Sequence, residues 1–563
     1  MPLAEFTAAA DDPGALSPSR PYRGLKQAGL ALLCAAWILL GLFGHDPWKP
    51  DDATTFGVAR DVMRNGDWIA PQLPGAAAAA RPPLFYALAA GSAAAFAPIL
   101  PPYDGARIAV GICLALTLWL LALAGRELYG RAFGWLPVLL FIGCIGLWDR
   151  GHAPAPEIGL LPAFALALYA LSLAPRRTVL GGALLGIAIG VAFLTFGTLW
   201  PALMALIALA LTPFRPWRNR RFARMLAIAV LVAAPLIVAW PLALYLSDPS
   251  LFGTWRDSPS LIRFFGLAPG SPPVEPLYYL KNLLWFAWPA LPLALWTLYL
   301  RARGYNGGLS QPGIVLPLLA TIVLIAVLSA AAEPRATLGL LLLPALSLLG
   351  AAEVDTLKRG YSAALDWFGM LTFGLLAAVV WVLWIESLWH GLPEPVASAF
   401  RDTQPGFEPP WQPFAFAVSV FLSVLWVALV RPARRSNRRA VLNWAAGMTL
   451  VWGLYMTIWL PYLDSRRSYR PVAEALARQL PAGTTCVAGH DVGEPQSALF
   501  DYFGGVAPIR DDLAAANDCP MLLMQVGRGE PDTPPDSAWE KVWEGHRRGD
   551  DTERFLLFRR PGA

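Results

Sequence analysis

The sequence predicts a polytopic α-helical membrane protein of about 13 transmembrane helices with a small C-terminal α/β domain. Three observations predict it. Of the 563 residues, 56% are apolar and 15% are charged, whereas a soluble domain carries roughly 45–50% and ~25%. About fourteen apolar runs follow one another along the chain, each near the ~20 residues that a bilayer core requires. Near Leu463 the composition changes, and the rest of the chain is rich in Asp, Glu and Arg with no spanning run. These features exclude a soluble enzyme, a disordered chain and a nucleic-acid-binding protein. The net charge of +5 is spread over short loops and makes no polyanion site. The 24 Trp suit membrane interfaces, where amphipathic rings settle.

Residues 1–25 are polar, contain Pro13, Pro18 and Pro21, and read as a cytoplasmic tail. The run from Leu25 to Gly44 is long enough to span and lacks a small-residue cleavage site, so it reads as a span and not as a cleaved signal. The apolar segments are 26–44, 83–99, 106–124, 131–148, 155–174, 178–196, 197–212, 223–246, 281–301, 312–331, 335–352, 366–388, 411–430 and 440–460. Residues 26–462 thus form the transmembrane domain. Lys and Arg of short loops stay cytoplasmic. The clusters are Arg126/Arg131, Arg176/Arg177, Arg215 to Arg224, Arg301/Arg303, Lys358/Arg359 and Arg431 to Arg439. Counting outward from 215–224 puts every later cluster inside, and the loops 247–280 and 389–410 and the tail from 461 outside. Before it the alternation has one segment too many. The weakest is 83–99, short and mostly Ala after Pro82-Pro83. If it does not cross fully, thirteen spans remain and 45–82, 100–106 and 149–155 join the external face. Merging 178–212 into one long helix is the alternative.

Residues 463–563 read as an external α/β domain. Tyr469 to Gln479 has helical periodicity through Val472, Leu476 and Leu480. Thr484–Ala488, Met521–Val526, Trp539–Trp543 and Arg554–Phe558 are β-like runs. Cys34, Cys113 and Cys144 lie in spans and behave as small apolar residues. Cys486 and Cys519 are either a disulfide of an oxidising compartment or two buried thiols.

The chemistry concentrates in the first external loop. Asp51 and Asp52 precede a helical pattern (Ala53, Phe56, Ala59, Val62, Met63) that ends at Asn65-Gly66. Two carboxylates at a helix N-terminus are either an ordinary cap or a site whose acids the helix keeps ionised.

Asp51-Asp52-Ala53, Arg60-Asp61-Val62-Met63, Gly66-Asp67-Trp68-Ile69-Ala70-Pro71 and Arg81-Pro82-Pro83, with Tyr86 beyond them, resemble the first periplasmic loop of the aminoarabinose transferase and protein mannosyltransferase families. Those are GT-C membrane glycosyltransferases that use polyprenyl-phosphate sugars. The likeness continues more loosely at 125–130, 276–281, Trp288-Pro289, Leu328-Ser329, Pro334-Arg335 and Pro344. Thirteen spans with a periplasmic α/β tail also look like the aminoarabinose transferases. The chain departs at several places. Asp52 stands for Glu, Ala80-Arg81 for Glu-Lys, Phe196 and Arg335 for Lys, and Glu157 where a second carboxylate, usually Asp, opens a span.

The resemblance implies transfer of a sugar from undecaprenyl phosphate to a periplasmic-face acceptor: lipid A, another glycolipid, a polysaccharide or a protein. It implies an inner-membrane protein with its site on the periplasmic side. Asp51 then activates a hydroxyl acceptor, or only orients a phosphate acceptor. Asp52 is a cap or a supporting group, and Glu157 is the second acid. Arg81 and Arg335 face the departing phosphate with planar forks; Arg107 and Lys281 are weaker candidates. The bland alternative for these cations is snorkelling to the interface. The loop 247–280, with Trp255, Phe264, Phe265, Tyr278 and Tyr279, reads as interface anchors or as a lid over the site. His45, Asp46, Asp51 and Asp52, with His152 and Glu157 near them, offer ligands for a divalent metal, although their spacing matches no metal motif. No phosphate-binding loop or dinucleotide motif supports a nucleotide-sugar donor. The rival reading is a lipid-linked sugar flippase, which should show intramembrane charges and internal repeats. A structural membrane scaffold leaves the Asp-Asp to Arg-Pro-Pro spacing unexplained.

Overall fold

The computed structural model describes residues 20–560, apart from 74, 77–80, 149, 259, 390–409, 432–435, 482–483, 485, 514–515, 517, 535–538, 548–549 and 551. Most of the expected tail 1–25 and of the loop 389–410, and part of the cluster from Arg431 to Arg439, fall outside them. The first helix, Arg20–Leu39, already begins within the expected tail.

Each apolar segment carries a helix. Among the described residues five are long and apolar enough to cross a membrane by length and composition, including Pro102–Tyr129, Arg220–Ser247 and Pro413–Val430. Two further pairs qualify only when joined across a sharp bend, Tyr278–Phe286 with Ala290–Ala302 (98°) and Asn437–Tyr455 with Leu460–Gln479 (60°). Seven are shorter. Glycine and proline set these lengths. Gly197, in a left-handed-side conformation (φ 93°), ends Thr178–Phe196 before Leu199–Ala210 starts. The segment 178–212 is therefore two helices and not one. Leu84–Phe96 has 13 residues and rises about 20 Å, short of the ~30 Å hydrocarbon core. Its alanines (Ala89, Ala90, Ala93) pack on Ala106 and Ala109 of Pro102–Tyr129. A Cβ on Gly105 would meet Ala93 Cα at 2.8 Å, so the two backbones touch.

Pro156–Ser172 and Leu342–Ala351 are buried on nearly every side. A helix apolar all round belongs in the centre of a large apolar body, and both lie in the main core with Pro102–Tyr129 and Leu136–Ile142. The central helix Pro156–Ser172 carries Glu157 in its first turn.

The C-terminal part forms a five-stranded sheet of β1 (Val487–His490), β2 (Ile509–Arg510), β3 (Met521–Gly527), β4 (Glu540–His546) and β5 (Glu553–Arg559) in the order β2-β1-β3-β5-β4. β1 runs parallel to β2 and β3, while β5 is antiparallel to β3 and β4. Helices Arg470–Gln479 and Glu494–Gly504 pack on it through Val472, Leu476, Leu499 and Phe500. The four longer strands match the β-like runs to within a few residues. The two-residue β2 and the helix Glu494–Gly504 were not expected. Cys486 and Cys519 form a disulfide, Cα–Cα 5.2 Å, which ties the chain before β1 to the chain before β3.

Candidate active site

The first loop is a wedge between the membrane helices and the C-terminal domain. Its helix, Asp51–Asn65, turns Phe56, Ala59 and Val62 onto Leu84–Phe96. Gly57 lies against Ala498 of the C-terminal domain, so closely that a Cβ would meet Ala498 Cβ at 2.6 Å. Pro50 occupies the cap position, and Asp51 and Asp52 follow inside the first turn without a side-chain capping bond. The Asp52 carboxylate still accepts from the Trp48 amide at 3.1 Å, at the entry to the helix.

The two carboxylates part company. Asp52 is buried and joins Arg107, whose Nη2 donates to it at 2.7 Å. Arg107, only 1% exposed, also donates to Asp104 (2.6 Å), to the carbonyl of His45 (2.9 Å) and to that of Asp46 (2.9 Å). Asp104 in turn accepts from the Gly44 amide. Every edge of this guanidinium is used, so Arg107 is a buried clamp of the loop's entry and is not placed to receive a donor phosphate. His45 and Asp46 belong to the same clamp. The His45 ring stacks on Trp48, with centroids 3.9 Å apart. Burial, then the Arg107 charge, pushes its pKa well below the usual histidine value. The Asp46 carboxylate accepts from Ser468 (2.6 Å) and Arg470, and its amide donates to Asp464. Among the described residues no group of three or more His, Cys, Asp or Glu is placed to hold a metal ion.

Asp51 faces different company. It is half-buried, and burial raises its pKa, opposed by Arg335 and reinforced by Asp52. Arg335 reaches Glu157 at 3.5 Å. Glu157 is 3% exposed, whereas the Arg335 side chain is 59% exposed. Arg335 is held from behind: the Tyr279 hydroxyl donates to its carbonyl (3.0 Å) and accepts from its amide (3.1 Å). Arg81 donates through Nη2 to both oxygens of Glu494, at 2.9 and 3.0 Å. Tyr86, buried on Leu84–Phe96, feels the charges of Arg81, Glu157, Glu494 and Asp51.

Four of the predicted residues are thus brought together: Asp51, Glu157, Arg81 and Arg335. Three carboxylates here sit in first helical turns, Asp51, Glu157 and Glu494, where the helix dipole favours the ionised form. Lys281 is exposed on Tyr278–Phe286, the helix whose Tyr279 holds Arg335. Trp255 packs edge-on against Trp240 and so acts as an anchor of the loop 247–280. Tyr86 and Glu494 were not expected at the site. Tyr86 had a signal, as the last residue of the Arg81-Pro82-Pro83 stretch. Glu494 had only a local one, a Gly493 before it and a Pro495 after it that mark a helix start.

No protein-family model matches the chain. In sequence it is 27% identical over 379 residues to an undecaprenyl phosphate-alpha-4-amino-4-deoxy-L-arabinose arabinosyl transferase of Pseudomonas savastanoi, covering 64% of this chain and 69% of that one. It is 29% identical over 376 residues to the protein of that name from Pseudomonas aeruginosa, covering 62% and 63%. The matched part is about two thirds of the length of these relatives. In fold it superposes on ArnT from Cupriavidus metallidurans, solved bound to undecaprenyl phosphate, with TM-score 0.69 and 18% identity over 95% of this chain and 98% of that one. The resemblance carried by the first loop is borne out in sequence and in fold.

Proposed function

We propose that the chain is an inner-membrane glycosyltransferase that takes a sugar from undecaprenyl phosphate and delivers it to an acceptor on the periplasmic face, with lipid A the first acceptor to test. The observation that supports it is the gathering of Asp51, Glu157, Arg81 and Arg335 from separate segments around Tyr86. The sequence relatives are named for an undecaprenyl-phosphate pentose donor, which makes a pentosyl donor the first choice. Like the first loop, the C-terminal domain lies on the periplasmic side in this reading, where a disulfide persists.

Transfer is displacement at the anomeric carbon, with a lipid phosphate leaving. Charge builds on the phosphate as the bond breaks, and preorganised cations lower that barrier. Arg81 and Arg335 fill this role, each as a planar donor fork. Glu157 holds Arg335 by its ion pair. Asp51 takes the proton from an attacking hydroxyl, and its raised pKa makes it the stronger base. A phosphate acceptor is already ionised and needs only orientation from Asp51.

The test is transfer in vitro from defined undecaprenyl-phosphate pentoses, with Asp51→Ala and Arg81→Ala beside the wild type. We expect each variant to fold and to lose at least about 100-fold in rate, the usual range for a positioned base or charge stabiliser. Undiminished transfer in both would sink the site. Passage of lipid-linked sugar across vesicles with no donor consumed would replace the enzyme by a flippase.

A further inference from the structure

The ion pair between Arg81 and Glu494 joins the first loop to the C-terminal domain across 413 positions of the chain. Among the described residues one edge of the guanidinium is engaged: Nη2 meets both Glu494 oxygens, while Nη1 of the same group is buried without a hydrogen-bond partner. Glu494 acts electrostatically on Tyr86, as do Asp51 and Glu157, so it belongs to the same charged neighbourhood. The loop itself supplies no carboxylate next to its cation, since Ala80-Arg81 stands where similar loops read Glu-Lys.

We propose that Glu494 is a positioning residue for the donor phosphate: it holds Arg81 by Nη2 and leaves Nη1 to the phosphate, so that the C-terminal domain completes the active site. The proposal rests on the donor-phosphate reading of Arg81. An arginine serves two anions because its fork has separate edges, whereas a lysine is a single point charge that one carboxylate neutralises. Arginine at 81 and glutamate at 494 therefore belong together. A guanidinium already fixed on one side also gives up less conformational freedom when the phosphate arrives. Removal of Glu494 leaves the domain docked, because Arg60–Asp501, Lys49–Glu553 and Arg470–Asp46 remain.

The experiment uses the full-length protein in detergent with undecaprenyl phosphate itself as the probe, and reads its dissociation constant and the unfolding temperature. Glu494→Ala should bind about five- to tenfold more weakly than wild type at an unchanged unfolding temperature, the size of one partly exposed charge-assisted contact. Adding Glu494→Ala to Arg81→Ala should change nothing further, because the two act as one unit. Arg81→Lys should bind poorly, and Arg81→Lys with Glu494→Ala should bind better than Arg81→Lys alone. Wild-type affinity in Glu494→Ala, or an equal loss in the Arg81→Ala background, overturns the positioning role. If Arg81→Ala binds like wild type, it is the donor-phosphate reading that fails.

Discussion

Two adjacent aspartates show how little residue type decides. Asp52 is spent on Arg107, whereas Asp51 stands outside that clamp and feels the charge of Arg335. Asp51 binds its proton more tightly in the folded protein than unfolded, because burial raises its pKa. The rate with a hydroxyl acceptor should therefore fall on acidification at a pH above the ordinary aspartate range, and a pH–rate profile reads this directly. A pH-independent rate in that range would point to a phosphate acceptor. Stability follows the same linkage with a definite sign. It is fully present below the unfolded pKa and declines as pH rises through the higher folded pKa. Asp51→Asn should thus unfold at a higher temperature than wild type at neutral pH, with the gap closing in acid. Arg107 behaves in the opposite way. Its loss leaves Asp52 and Asp104 buried and unpaired, which costs roughly 3–5 kcal/mol. Arg107→Met should lower the unfolding temperature and the folded yield, whereas Arg81→Ala should leave both near wild type. The sequence singled out both arginines as cations near the external face. It could not distinguish them, because the complete burial of one and the partial burial of the other depend on contacts distant in the chain.

At the scale of elements, the helix over Asp51–Asn65 was legible down to its last residue, since Asn65-Gly66 carries a turn signal and Gly66 adopts the left-handed conformation there (φ 72°). The shortness of Leu84–Phe96 was legible too, from its alanines and the prolines before it. The bends at Trp288-Pro289 and near Thr457 were not, because apolar periodicity runs straight through both. Contacts between elements were also invisible. Gly57 is the clearest case. Its missing side chain lets the helix Asp51–Asn65 lie on Ala498 and Leu73. Gly57→Val should force the helix and the C-terminal domain apart, at about 1–3 kcal/mol for overpacking, and slow transfer more than Gly57→Ala. Thermal unfolding and rate, measured on both variants, check the order.

For the whole molecule, the composition alone revealed a membrane bundle and a polar C-terminal region, and the change near Leu463 marks where one gives way to the other. What it concealed is that the proposed site draws Glu494 from the C-terminal region. The Cys486–Cys519 bridge lies in the C-terminal partner of that site, and the intact protein should gain the mass of two hydrogens on reduction, read by mass spectrometry. Lys49, two residues before Asp51, pairs with Glu553 at 2.8 Å across 504 positions. Glu553 also accepts from Tyr469, Gln496 and Gln525. Proteins are made from the N-terminus, so Lys49 leaves the ribosome 504 residues before Glu553. The first loop therefore waits through the synthesis of the apolar helices that lie between them for this anchor. The grip of Glu553 on the loop forms only when β5 has folded.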